Sequence, residues 1–331
     1  MSAMELPDAP RILVIRRDNI GDLLCTTPLL AALRGRYPAA HITVLTNSYS
    51  APVLAGNPHI DAVLSYDKGK HVATVVGKIA ALWRRLRLIR NIRHNRPDLA
   101  ILAASTYQPS AYRFAKLAAP VRLLGYPENA PKRGGHEAEA TFALLGALGI
   151  EGPPPPMVLR ADATLCADLV GRVPGGQGPL VGFHLSARKP SQRWPVERFA
   201  ELARRLHAAC GARFLLFWAP GSEANPLHPG DDEKAAALTA ALAGLPALPI
   251  ETHRLPELIA GLSLCDRVVC SDGGAMHIAA ALGKPIVCFF GNSDAVRWHP
   301  WGVPYVLLQK ESRDVGDVSV DEAAAAFERL G

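Results

Sequence analysis

No two of the six cysteines, at positions 25, 166, 210, 265, 270 and 288, are spaced as C-x-x-C, and most sit inside apolar segments such as DRVVCSD and PIVCFF. A disulfide framework or a thiolate metal site is therefore not expected, and reduced, buried thiols are. No run approaches the roughly 18 apolar residues that cross a bilayer. The opening MSAMELPDAP lacks the apolar core of a signal peptide, so a cytoplasmic location is the expectation. No G-x-G-x-x-G follows a strand-like run, which counts against a nicotinamide dehydrogenase. The G-x-S-x-G elbow and the P-loop lysine motif are absent as well.

What the sequence does have is 331 residues, 49% hydrophobic and 20% charged, the profile of a packed globular chain. Its length suits about two domains. The formal net charge of +6 favours an anionic partner, with nucleotide, nucleic acid and acidic membrane surface as the candidates. Short β-branched runs recur: RILVI (11–15), ITVLTN (42–47), DAVLSYD (61–67), LAILAAS (99–105) and VRLLGY (121–126). After a proline tract, GPPPP (152–156), and a glycine-rich VPGGQGP (173–179), they resume as LVGFHLS (180–186), FLLFWAP (214–220), RVVCSD (267–272) and PIVCFFG (285–291). Continuous apolar strands separated by alanine- and leucine-rich helices predict parallel sheets covered on both faces. The expected fold is α/β: two doubly wound, Rossmann-like domains facing across a cleft, residues 1–156 and 157–331. The last helix is a candidate to pack back on the N-terminal domain.

Residues 77–96, GKIAALWRRLRLIRNIRHNR, combine helical spacing of Ile79, Leu82, Trp83, Leu86 and Ile89 with Arg84, Arg85, Arg87, Arg90, Arg93 and Arg96. This is either a solvated helix face or a surface for anionic lipid or phosphorylated glycolipid. Nucleic acid is not expected there, since no interleaved aromatics accompany the charge.

The densest chemical signal is CSDGGAMHIAAALGKPIVCFFG (270–291). A strand ends at Ser271–Asp272, Gly273 and Gly274 follow, and a helix opens. Such a turn lets an anionic group approach the backbone, and the helix's unpaired N–H groups favour phosphate. His277 taken alone reads equally as a packed or capping histidine. At the other end of the chain, Asp22 in RRDNIGDLLCTTPLL is either a cap or a first-turn acid answering a helix dipole. Alternatively, Thr27–Pro28 opens the main helix and leaves Gly21–Asp22 in an approach turn at the carboxyl end of the first strand, where open α/β sheets bind ligands.

Taken together, D-G-G-x-x-H-x-A-A-x-x-x-x-P, F-F-G-N and H-P-W-G (299–302) resemble the C-terminal signature of glycosyltransferase family 9, the bacterial heptosyltransferases. R-x-D-x-I-G-D-x-x-x-T-x-P is similar to that family's opening motif, and S-x-R-W-P-x-E-x-F-A-E-L (191–202) to its central one. The resemblance spans roughly residues 11–302. It implies a two-domain GT-B fold and an inverting transfer of a heptose or related sugar from a nucleotide diphosphate, ADP-heptose first among the candidates, to a lipopolysaccharide-type acceptor. It assigns the catalytic base to Asp22, and donor phosphate contacts to Asp272, Gly273, Gly274 and His277. The family's Thr or Ser after the aspartate is here Gly273, and its usual lysine two residues before Trp-Pro is here Gln192, leaving Lys189 or Arg193 to supply the charge. Glu223 in WAPGSE matches the family's acid toward the nucleotide sugar, with Asp232 or Glu233 as alternatives, and Ser186 is a candidate phosphate contact.

Transferases of this kind commonly work without metal or other cofactor, and the acids of GDDEK (230–234) read as a helix first turn. The partners implied are the nucleotide-sugar donor, a lipid-linked or core saccharide acceptor, and peripheral contact with the anionic inner membrane through 77–96. Two other readings fit the same scaffold. A nucleotide-sugar epimerase or hydrolase would turn over donor without acceptor, and a non-catalytic glycolipid-binding protein would never release nucleotide.

Overall fold

In the computed structural model, the structure describes residues 4–66, 75–94, 96–130, 134–225 and 230–331. The chain divides into two units, Met1–Leu159 and Arg160–Gly331. The boundary lies three residues beyond the proline tract because the chain leaving it is still held by the first unit. Val158 N–H donates to Thr27 Oγ1 at 3.0 Å, and Met157 and Leu159 are buried.

The first unit runs β1 (Arg11–Ile15), α1 (Ile20–Leu24), α2 (Thr27–Arg36), β2 (His41–Asn47), β3 (Ala62–Tyr66), α3 (Val75–His94), β4 (Leu99–Leu102), α4 (Pro109–Ala118), β5 (Arg122–Leu124) and α5 (Glu137–Phe142). Its strands form a parallel sheet in the order β3-β2-β1-β4-β5. Val14 of β1 stands opposite Val44 on one side and Ile101 on the other. RILVI and LAIL carry apolar residues at successive positions because helices cover both faces of the central strands. One face packs Leu13, Ile15, Leu45, Ala100 and Phe114 against Ile92 of α3.

The second unit runs α6 (Ala163–Val170), β6 (Leu180–His184), α7 (Val196–Cys210), β7 (Arg213–Trp218), α8 (Asp232–Ala241), β8 (Ala247–Glu251), α9 (Leu255–Leu264), β9 (Arg267–Ser271), α10 (Gly274–Ala281), β10 (Ile286–Phe290), α11 (Ala295–Trp298), β11 (Tyr305–Gln309) and α12 (Val320–Glu328). The parallel order is β11-β10-β9-β6-β7-β8. Trp194, Phe183, Phe199, Phe214 and Phe289 interlock in its core, with Trp194 4.6 Å from Phe289 between ring centroids. The Trp of the Arg-Trp-Pro motif is thus a core residue, its Nε1–H donating to Val318 O at 2.9 Å.

The expected fold class, two doubly wound Rossmann-like units, is the one the chain adopts. Four details bear on it. The edge strands β8 and β11 were not visible in the sequence; Pro249 interrupts β8 and is tolerated because an edge strand leaves one row of N–H groups unpaired. The closing helix α12 puts Ala323, Ala326 and Phe327 into the second unit's core. Cys210 is exposed at the end of α7, whereas Cys25, Cys265, Cys270 and Cys288 are buried. In α3 the apolar stripe is rotated from expectation: Ile92 is buried and Leu88 and Ile89 half-buried, while Trp83 and Leu86 face outward with Arg87, Arg90 and Arg93. The side chains of Ile79, Leu82, Arg84 and Arg85 lie outside the described residues.

Each sheet has one switch point, where strand order reverses and ligands of open α/β sheets bind. In the first unit it falls between β1 and β4, and in the second between β6 and β9.

Candidate functional site

The first switch point holds Asp22. Pro28 does separate two helices, with Thr26 capping α2, but Gly21 and Asp22 lie inside the one-turn helix α1 and not in an irregular turn. Asp22 is the third helical residue after the cap Asn19. Its Oδ2 accepts from Asn19 N–H at 3.1 Å and from Asn19 Nδ2 at 3.2 Å. The capping role read from the sequence is therefore real, and it takes only one carboxylate oxygen. Oδ1 accepts from Arg16 Nη2.

Arg16, the first residue after β1, is 2% exposed and ringed by acids. Its Nη2 also donates to Glu137 Oε1 at 2.8 Å, its Nε lies 3.1 Å from Asp18 Oδ2, and its Nη1 donates to Ala103 O at the end of β4. Burial alone would weaken the guanidinium's hold on its proton, but Asp22, Glu137 and Asp18 outweigh it, and its pKa stands above the ordinary arginine value. Glu137 opens α5 behind the cap His136, and Thr141 Oγ1 of the same helix donates to Cys25 O at 3.2 Å, fastening α5 to the end of α1. Asp22 and Asp18, 13% and 26% exposed, are the ring's acids that reach the surface, and Asp18 also accepts from Gln108 Nε2 at 2.8 Å.

The second switch point gathers Asp272, Gly273 and Gly274 after β9 with the loop after β6. Gln192 Nε2 donates to Asp272 Oδ2 at 3.0 Å and to Ser293 Oγ at 3.2 Å, so the position of the family's lysine is filled by a neutral amide already bound to the aspartate. Burial pushes the Asp272 carboxyl above its ordinary pKa, partly countered by Ser293, Lys189 and Gln192. Lys189 is exposed at the start of the turn Pro190–Gln192. That turn lies so close to β10 that a Cβ on Gly291, the glycine of the F-F-G-N motif, would stand 2.6 Å from Ser191 O. Gly273 caps α10 in extended geometry, and His277, 4% exposed, packs edge-on to Trp298 at 6.0 Å.

The remaining predicted residues form a separate group at the ends of β6 and β7. Arg193 pairs with Glu223, and its Nε donates to Ala187 O at 3.0 Å. Ser186 Oγ accepts from Ala219 N–H at 2.8 Å and bonds to the buried Asp231, whose pKa is raised by burial. Lys234 Nζ donates to Leu185 O at 2.9 Å. Asp232 is consumed by Trp218 Nε1 and Gly221 N–H, both at 2.9 Å, which makes it a loop fastener. Among the described residues, no group of three or more His, Cys, Asp or Glu side chains is arranged to hold a metal ion.

Arg16, Asp18 and Glu137 were missed in the sequence, and so were Asp231 and Lys234. Arg16 and Asp18 stand within the opening motif itself, so their proximity to Asp22 was legible; Glu137, 121 residues from its partner, carried no signal.

Residues 85–319 match the sequence model of glycosyltransferase family 9 (heptosyltransferase). Lipopolysaccharide heptosyltransferase 2 of Salmonella typhimurium is 27% identical over 314 residues, which cover 86% of this chain and 83% of that protein. The glycosyl transferase family 9 structure from Veillonella parvula DSM 2008 has a TM-score of 0.81 at 22% identity, covering 99% of this chain and 98% of its own. An E. coli heptosyltransferase solved with ADP has a TM-score of 0.77 at 17% identity, covering 97% of this chain and 100% of its own. These likenesses bear on fold, and they place the two parallel-sheet units in the GT-B type.

Proposed function

The chain belongs to glycosyltransferase family 9, and on that premise we propose that it moves a heptose, or a related sugar, from a nucleotide diphosphate to a lipopolysaccharide-type saccharide, with inversion and without metal. ADP-heptose is the proposed donor. The reading is supported by the relatives solved with ADP and with ADP-2-deoxy-2-fluoro heptose, and by the lipopolysaccharide heptosyltransferase that the chain resembles in sequence.

The observation that carries it is the coincidence of each motif with its own sheet's switch point: Asp22 after β1, and Asp272–Gly274 after β9. In the proposed reaction Asp22 accepts the proton of an acceptor hydroxyl as that oxygen attacks the anomeric carbon. The bond from that carbon to the phosphate oxygen breaks, and the diphosphate leaves with the electron pair. Its growing charge is met by the N–H groups at the start of α10 and by Lys189. Arg193 and Glu223 are assigned to the nucleotide-sugar side, with Ser186, as is His277. One displacement by one hydroxyl inverts the anomeric centre.

The outward Trp83, Leu86, Arg87, Arg90 and Arg93 of α3 favour peripheral contact with an anionic lipid surface, where a lipid-linked acceptor would be met from the cytoplasmic side. No described helix is long and apolar enough to cross a membrane.

The test is Asp22→Asn, assayed with ADP-heptose and a truncated core saccharide in EDTA. The native protein is expected to give product of inverted anomeric configuration. The variant is expected to lose about 10²–10⁴-fold in kcat, the usual share of a general base, with donor Kd changed less than a few-fold. Near-normal transfer by the folded variant overturns the base assignment; loss of native activity in EDTA, restored by Mg²⁺ or Mn²⁺, overturns metal independence.

A further inference from the structure

We propose that Glu137, acting through Arg16, is a positioning residue that keeps Asp22 oriented and able to take up a proton; the inference rests on the reading of Asp22 as the base. A single nitrogen, Arg16 Nη2, donates to both Asp22 Oδ1 and Glu137 Oε1, so the two carboxylates compete for one donor. Arg16 orients Asp22, but a permanent cation bound to a lone carboxylate also favours its ionised form and makes it a poorer proton acceptor. Glu137 is wholly buried on the same nitrogen and offsets that charge.

Among the described residues, the charged groups bonded to Asp22 or to its partner Arg16 come from two segments. Arg16 and Asp18 come from the turn after β1, and α5 brings Glu137, with His136 and Glu139 closing that helix's cap. The end of β4 contributes the carbonyl of Ala103. Arg17 is turned away, over the rings of Tyr66 and Phe114 at 4.9 and 5.8 Å. Asp18 and Asp22 alone would balance one guanidinium; Glu137 is a third carboxylate on Arg16 and shares the nitrogen that reaches Asp22. Burying a third carboxylate is costly. Thr141 Oγ1 lies 3.2 Å from Cys25 O, which brings the helix that carries Glu137 against the end of the helix that carries Asp22.

The experiment is Glu137→Gln, which keeps the shape and removes the charge, measured beside Asp22→Asn and the double variant. Steady-state kinetics give kcat and both KM values, and thermal melts report folding. Glu137→Gln is expected to lower kcat about 10-fold and to leave both KM values within about 3-fold. In the Asp22→Asn background the same change should cost nothing further, since it acts through Asp22. A folded Glu137→Gln protein with native kcat overturns the proposal, as does an equal loss in both backgrounds. If Glu137→Gln does not fold, Arg16→Lys carries the test: an ammonium keeps the charge but lacks the fork that spans both acids, and a kcat loss confined to the Asp22 background is again required. If Asp22→Asn is itself near-normal, it is the base reading that fails, and the two failures are told apart by that one variant.

Discussion

Asp22 and Asp272 each follow a central strand of a parallel sheet, beside that sheet's switch point, yet their surroundings are opposite. Asp22 sits against a buried guanidinium shared with Glu137 and Asp18, and both of its oxygens are held. Asp272 has neutral partners, the amide of Gln192 and the hydroxyl of Ser293, while the nearest cation acting on it, Lys189, stands exposed. Where a site must move a proton, its charges are built in and buried. Where a site must admit a dianion and then release it, cation and open backbone are left for the ligand to engage. The contrast matches the assignment of base to the first unit and leaving-group phosphate to the second.

The largest effect expected on the second side of this contrast is from Lys189→Ala. Losing one charged hydrogen bond to a phosphate typically removes about 1.5–3 kcal/mol, so donor KM should rise about 10-fold or more with kcat changed less. Arg193→Ala should do less to phosphate binding, because that guanidinium is already committed to Glu223 and to Ala187 O. Donor titrations with ADP and with adenosine separate the two: only Lys189→Ala should erase the preference for the diphosphate. The reverse ranking would make Arg193 the functional substitute for the family's lysine.

A charge contrast also holds on the surface, where the first unit alone carries α3 with its outward Trp83, Leu86, Arg87 and Arg90. Each arginine near anionic lipid contributes at most about 1 kcal/mol, screened within a Debye length of about 8–10 Å. Arg87→Gln with Arg90→Gln should therefore weaken sedimentation with phosphatidylglycerol vesicles roughly tenfold at low salt and hardly at all at high salt. Donor KM should be unchanged. Unaltered vesicle binding would return α3 to the solvated-face reading.

The sequence revealed the periodic part of this molecule and the local part of its sites. Continuous apolar runs such as RILVI and PIVCFF announced buried parallel strands, and Gly-Asp and Asp-Gly-Gly after such runs announced the switch points. Two edge strands of the second sheet, YVLLQ and ALPIE, escaped that reading; both are only partly buried, and Pro249 breaks the apolar run of ALPIE. Glu137 was hidden for a different reason. A lone glutamate at the start of a short helix reads as a dipole-answering acid, and only the folded chain brings it to Arg16, 121 residues away. The stripe on α3 was misplaced because Trp83 and Leu86 share helical spacing with Leu82 and Ile89; which side packs inward was decided by Ile92 fitting the sheet.

The smallest effect is expected at Gly273, and it tests how open the second site is. Its φ of 160° and ψ of −168° are extended backbone that any residue adopts, and a Cβ placed there meets nothing within 4 Å. The glycine is thus not required by conformation, in contrast to Gly291, whose Cβ would press on Ser191 O and displace the turn that carries Gln192. Gly273→Thr should fold normally. At the cap of α10 a threonine differs from glycine by only a few tenths of a kcal/mol, so the melting temperature should move little. The added hydroxyl stands where the family usually has one and should tighten ADP binding about 2- to 5-fold, the worth of a modest hydrogen bond. Gly273→Val adds the same bulk without the hydroxyl and should give no gain. If both variants weaken ADP equally, the space above α10 is needed empty, and the second site is closed around its ligand in a way that the contrast with Asp22 does not allow.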